Sequence, residues 1–256
     1  MKKLIAIMLA LVLVMALAAC DSAAEPETQP TEATQPTEAT EPTAENNEDP
    51  ADEVTVMSYE EFMAADVDAK VTIETYVQAT RSWWNDAICV YAQGPDGGYF
   101  MYDMACSEED AAKLVPGTKI RVTGDKAIYD GEVEIMKSTF EFVEGGDTYI
   151  AEAFDATAML GTEELEAKMN QLASFTGLTI EKIAYKNDEP GDDIYVTVSK
   201  DGQSYDFCVE VYLTGVDSDV YKTVGELAEG DVVDVTGFLY WYNGVNTHIT
   251  AIAKAA

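Results

Sequence analysis

The feature that most constrains this chain is an internal repeat. Leu114, Gly117, Val122, Thr123 and Gly124 align with Leu227, Gly230, Val235, Thr236 and Gly237 at a constant offset of 113, and the same offset carries Tyr129-Asp130-Gly131 onto Tyr242-Asn243-Gly244. Further upstream, Thr72-Ile73-Glu74 matches Thr179-Ile180-Glu181 at offset 107, and Asp96-Gly97 matches Asp201-Gly202 at offset 105. Offsets that hold inside a segment and drift between segments are the mark of a duplicated module with loops of unequal length. The chain therefore divides into two copies of one unit, residues 57–146 and 147–256, after an N-terminal region of different composition.

Inside each copy the apolar period is two. Val71, Ile73 and Thr75 alternate with Thr72, Glu74 and Tyr76, and Ile194, Val196 and Val198 alternate with Tyr195, Thr197 and Ser199, which predicts strands with one buried face. Asp96-Gly97, Asp201-Gly202, Tyr129-Asp130-Gly131 and Tyr242-Asn243-Gly244 read as tight hairpin turns. A short helix is expected from Ser107 to Leu114, where Ser107 can cap, with its counterpart from Asp219 to Leu227. The order in each copy is strand, strand, strand, helix, strand, strand. That is the order of the OB-fold, a five-stranded Greek-key barrel, so the fold class is all-β with short helices: two tandem OB-fold barrels after a disordered linker.

The turn from Leu-x-x-Gly into x-Val-Thr-Gly, followed by an aromatic hairpin, resembles bacterial exported proteins with anticodon-binding-like OB domains, including lipoproteins, over residues 70–143 and 175–254. The motif is structural, so the resemblance implies a fold and a habit of binding and transfers no reaction. The N-terminus is in keeping. Lys2 and Lys3, an apolar run from Leu4 to Ala19, and the small residues before Cys20 resemble a bacterial lipoprotein signal peptide. The run is shorter than the roughly 20 apolar residues that span a bilayer. The resemblance implies removal of residues 1–19, lipidation of Cys20, and an extracytoplasmic protein anchored to a membrane by its lipid. From Asp21 to Glu53 there is no aromatic residue, and five of the eight prolines fall there. Residues 20–56 thus read as an extended, self-repelling stalk reaching on the order of 100 Å at about 3.1 Å per residue.

The whole chain carries a formal charge of −33, and loss of residues 1–19 leaves −35. Residues 57–146 and 147–256 carry −10 and −14, so neither copy offers the cationic surface that a phosphate backbone wants. With His248 as the only histidine and no Cys-x-x-Cys, a metal centre is not expected, nor is any cofactor. No nucleophile elbow, phosphate-cradling loop or zinc-protease motif occurs, and no catalytic residue is assigned. His248 is expected on the outer barrel face, as a surface histidine, because its neighbour Ile249 should point inward. Cys89 and Cys106 are the pair that a disulfide would join, but the apolar settings of Cys89 and Cys208 favour three free thiols once Cys20 is lipidated. The acidic turn from Asn187 to Asp193, and Asp217 with Asp219, lack the full calcium-loop pattern and read as solvated loops.

Aromatic residues are the better lead. OB barrels bind through the loops joining strands one to two and four to five, and rings there offer stacking surfaces. In the first copy these loops hold Trp83, Trp84 and Tyr129; in the second, Tyr240, Trp241 and Tyr242. These six are the expected ligand-binding residues, weighed against a role as caps of the barrel mouths or packing between barrels. The expected partner is a glycan, a peptide or another protein. Two alternatives are an exported OB-fold nucleic-acid binder or nuclease, using Arg81, Lys119, Arg121 and Lys126, and a structural spacer in the cell envelope.

Overall fold

A computed structural model of the chain describes residues 55–255. Residues 1–19, Cys20 and the stalk to Glu53 lie outside them.

A capping box opens the described region. Ser58 accepts from the Glu61 backbone N–H while the Glu61 carboxylate accepts from the Ser58 N–H, and helix α1 (Tyr59–Ala64) follows. Its Phe62 is buried in the core of the first barrel. That barrel consists of β1 (Lys70–Thr80), β2 (Ala87–Gln93), β3 (Gly98–Ala105), β4 (Lys119–Tyr129) and β5 (Glu132–Phe142), closed in the order β1-β2-β3-β5-β4. Helix α2 (Glu108–Ala111), capped by Ser107, lies between β3 and β4 and is shorter than the span expected. The inward set is the one that the alternation picks out: Val71, Ile73, Ile120, Val122 and Ile135 are fully buried.

The second barrel repeats this plan. A short strand β6 (Phe154–Asp155) and helix α3 (Glu163–Glu166) precede it, and Leu165 of α3 enters its core. Strands β7 (Leu172–Tyr185), β8 (Ile194–Lys200), β9 (Gln203–Val209), β10 (Val232–Phe238) and β11 (His248–Lys254) form a sheet in which β10 also pairs with β7, closing the barrel. In both barrels a parallel pairing joins the third and fifth strands, β3 with β5 and β9 with β11. This is OB-fold topology twice over. Between β9 and β10 lie α4 (Val211–Thr214) and α5 (Asp219–Glu226), the latter where the repeat places it, capped by Ser218.

Two turns behave differently from one another. Asp130 and Gly131 join β4 to β5 directly, both at positive φ. The matching Asn243-Gly244 is instead the tip of a longer excursion, residues 239–247, held by a Trp241–Val245 bridge. The reason is packing: Leu239 and Trp241, on the way to the tip, are buried in the second barrel's core.

Both barrels fall in one compact unit, because their outer faces meet. Tyr91, Phe100 and Phe238 are fully or almost fully buried between them, with Tyr240 packed alongside. Main-chain and amide bonds stitch the seam. Asn243 N–H donates to the Asp130 carbonyl at 2.7 Å, Leu172 N–H to Gln93 Oε1 at 2.8 Å, and Asn170 Nδ2 to the Val133 carbonyl at 3.0 Å.

Candidate functional site

The seam holds a polar network that strand periodicity alone does not predict. Arg81, just past β1, donates from Nε and Nη2 to the Tyr91 hydroxyl at 3.3 and 3.2 Å. A guanidinium only donates, so the Tyr91 oxygen accepts and its own O–H is free to donate to His248 Nδ1, 2.6 Å away. In that arrangement His248 is the neutral tautomer with its proton on Nε2. Burial, reinforced by Arg81, holds the His248 pKa well below its ordinary value. Arg81 also lies 3.3 Å from Glu210 Oε2 and over the Phe100 ring at 5.3 Å. Because its Nε–H is spent on Tyr91, Glu210 Oε2 makes no hydrogen bond. The rings stack around these groups: Tyr91 on Phe238 at 4.8 Å and Tyr240 on His248 at 4.2 Å between centroids.

His248 is therefore not a surface residue. The alternation holds, since Ile249 points into the core and His248 points outward, but the outer face of β11 is covered by β2 of the first barrel, leaving His248 4% exposed.

Beside this seam opens a cleft of about 460 Å³ lined by Arg81, Trp83, Trp84, Tyr102, Asp103 and Tyr212, among others. Its floor is the loop from β1 to β2, and its far wall is α4 of the second barrel. Ser82 N–H donates to the Tyr212 carbonyl at 2.7 Å and fixes one wall to the other. A bulge shapes the near side. Between the Val90–Met101 and Ile88–Met104 pairs β3 carries one extra residue, Asp103 takes a left-handed φ of 47°, and Tyr102 and Asp103 are both turned out. Cys89 lines the same cleft, and burial pushes its thiol up to about 11, leaving it unreactive at neutral pH.

The six expected ligand residues do not share one surface. Trp84 stands at the cleft rim, 81% exposed. Trp83 is half-buried, with its indole N–H donating to the Cys106 carbonyl at 2.8 Å, so it is both cleft wall and barrel cap. Trp241 does not belong to a ligand surface: it is 8% exposed, packs in the second barrel's core, and its backbone N–H donates to Glu132 Oε2 at 2.8 Å. Tyr129 and Tyr242, equivalent by the repeat, are both exposed and meet with ring centroids 6.3 Å apart. Tyr240 is half-buried in the seam. Residues that sequence reasoning missed are Tyr102, Asp103 and Tyr212 in the cleft and Tyr91, Glu132, Glu134 and Glu210 in or beside the seam. The aromatic spacing of Tyr99 to Tyr102 in β3 is the one signal that could have drawn attention to the first of these.

The four cations of the nucleic-acid alternative are engaged inside the protein. Arg81 faces Glu210, Lys119 and Arg121 share Glu74 at 2.7 and 2.8 Å, and Lys126 Nζ donates to the Met63 and Ala65 carbonyls. In the acidic turn Lys186 lies between Asp192 and Asp193 at 3.2 and 3.1 Å. Among the described residues no group of three His, Cys, Asp or Glu side chains is arranged to hold a metal, and Cys89, Cys106 and Cys208 are free and buried.

No protein-family model matches the chain, and no curated protein does. Among solved structures it is similar to a murine DNA-binding protein bound to double-stranded DNA (13% identity, TM-score 0.36, covering 72% of this chain and 96% of that one). It is also similar to the Ifi202 HINa domain in complex with a 20-base-pair DNA duplex (10%, 0.33, 70% and 94%). A third is a replication protein A heterotrimer bound to single-stranded DNA (15%, 0.29, 71% and 50%). TM-scores below 0.5 at such identities carry no argument about a ligand; the OB-fold assignment rests on the strand order and pairing of the chain itself.

Proposed function

We propose that this protein is a non-enzymatic binding module, held outside the cytoplasm by a lipid on Cys20, which recognises an uncharged or cationic partner group through the cleft between its two OB barrels. The observation that carries the reading is Trp84, 81% exposed on the rim of a cavity lined by further rings, Trp83, Tyr102 and Tyr212. Leaving an indole in water forgoes burial worth about 25 cal/mol per Å², and a ring at the mouth of a concave, mostly apolar site is how sugars and peptide side chains are gripped. The polar groups of the cleft, Ser82, Asn85 and Asp103, supply directional bonds. The surrounding barrel carries −10 over residues 57–146, which favours neutral or positively charged partners and repels anionic ones.

Nucleic acid is the competing ligand class. It would need a groove of cations tracking the phosphates, whereas Arg81, Lys119, Arg121 and Lys126 are all spent on internal partners. The two readings separate by salt and by mutation. Binding of cell-wall glycans that is insensitive to salt, or of cationic peptides, lost in either case in Trp84→Ala, supports the proposal. A gel shift of single strands that disappears steeply with salt replaces it with the nucleic-acid reading.

A further inference from the structure

A second cavity, of about 310 Å³, lies next to the cleft and shares Tyr102 with it; its other walls are Ile128, Tyr129, Met136 and, from the second barrel, Tyr240, with Glu134 among them. Glu134 stands on the outer face of β5, opposite Phe100 of β3, between the inward-facing Val133 and Ile135. It is 3% exposed, yet no hydrogen bond or ion pair engages its carboxyl group among the described residues. Unlike Glu132, whose Oε2 accepts from the Trp241 N–H, Glu134 faces open cavity. A largely buried carboxyl without a partner is costly to ionise unless a cation reaches it through the cavity. Three tyrosines, Tyr102, Tyr129 and Tyr240, line the cavity, which is large enough for a small alkylammonium group, and aromatic rings attract positive charge.

From this juxtaposition we propose that the Tyr102–Tyr129–Tyr240 cavity binds an organic ammonium group, with the Glu134 carboxylate as its counter-ion. The site adjoins the Trp84 cleft, with Tyr102 common to both, but does not depend on Trp84. Burial pushes the Glu134 pKa up to about 7, with Arg81 drawing it down and Asp103 pushing it up. Glu132, Tyr102 and Tyr240 are the other titratable groups close enough to sense its charge. Arg81 does not neutralise Glu134 because it is held by Glu210 and Tyr91. An arriving ammonium ion therefore meets a carboxyl that gives up its proton on binding.

The test is calorimetric titration of the full chain at pH 8 with choline, n-butylammonium, Nα-acetyl-lysine amide and the uncharged choline isostere 3,3-dimethylbutanol. Saturable binding of one or more of the three cations, but not of the alcohol, is expected, together with at least a tenfold loss of affinity in Glu134→Gln and in the exposed-side variant Tyr129→Ala. Choline or butylammonium alone would mark a free small amine as the source; the lysine amide would mark a side chain of a peptide. Repeating the titration at pH 6 in buffers of different ionisation enthalpy should show proton release, absent in Glu134→Gln. No saturable binding of any cation at millimolar concentration, equal binding of the alcohol, or undiminished binding in folded Glu134→Gln would overturn the proposal. Trp84→Ala leaves ammonium binding intact, so failure here and failure of the cleft reading are told apart.

Discussion

The Tyr91 hydroxyl and His248 Nδ1 sit 2.6 Å apart although they belong to different barrels, 157 positions from each other in sequence. The bond exists because Arg81 occupies the tyrosine oxygen from the other side, which orients the phenolic proton toward a neutral imidazole. It makes the relation of the two barrels a specific one, since any slip would strand three buried polar groups at once. Tyr91→Phe should destabilise the protein by about 1–3 kcal/mol, the cost of leaving buried donors and acceptors unpaired. A double-mutant cycle with His248→Phe, read by urea denaturation, should show clear non-additivity.

The same seam predicts opposed pH dependences. His248 is held well below its ordinary 6.5 by burial. The unfolded chain therefore takes up a proton below about pH 6.5 that the folded chain refuses, and stability is lost as the pH falls. Glu132 runs the other way. Burial raises it from 4.5 to about 8, so its contribution is full below about pH 4.5 and is lost as the pH rises toward 8. Glu132→Gln should remove that loss, gaining about 2 kcal/mol over the parent at pH 6 and more as the pH rises to 8. His248→Gln, which can still accept from Tyr91, should flatten the acid side instead. Denaturation series across pH check both.

Much of the fold is legible in the sequence and much of the site is not, for one physical reason. Alternation tells which side chains enter a barrel: Val71, Ile73, Ile194, Val196 and Ile249 are all where period two puts them. It says nothing about what covers the other face. His248 reads as outward-facing, and Tyr91, Glu132 and Glu134 stand on the same outer faces; all four are buried because each barrel covers the other. Trp241 reverses the case: the repeat placed it in a ligand loop, but that loop dips back to fill its own core. Trp84 was legible because a loop tryptophan with no room inside has only solvent or a ligand to meet.

The tryptophans should therefore separate by stability. Trp84→Ala should change the unfolding free energy by less than about 0.5 kcal/mol, as expected for an exposed ring. Trp241→Ala should cost about 3–5 kcal/mol through the cavity it leaves. Equal losses for the two would contradict the placement of both rings.

Gly98 tests the seam sterically. A Cβ there would fall on the Asn170 carbonyl and the Gln171 nitrogen, backbone that cannot swing aside. Gly98→Ala should cost about 1–3 kcal/mol and raise amide exchange at Asn170, whose N–H donates to the Leu239 carbonyl at 2.7 Å, and at Leu239, whose N–H donates to the Gln171 carbonyl at 2.9 Å. Gly94→Ala, with no heavy atom near its added carbon, is the matched control.

The central claim is a Trp84-lined binding cleft, and the most direct measurement is tryptophan fluorescence of the full chain carrying Trp83→Phe and Trp241→Phe, quenched by acrylamide. Strong quenching is expected, which an uncharged glycan suppresses at both low and high salt and a cationic peptide suppresses at low salt. Protection by oligonucleotides alone, vanishing as salt is raised, or no protection by any of the three classes, would contradict it.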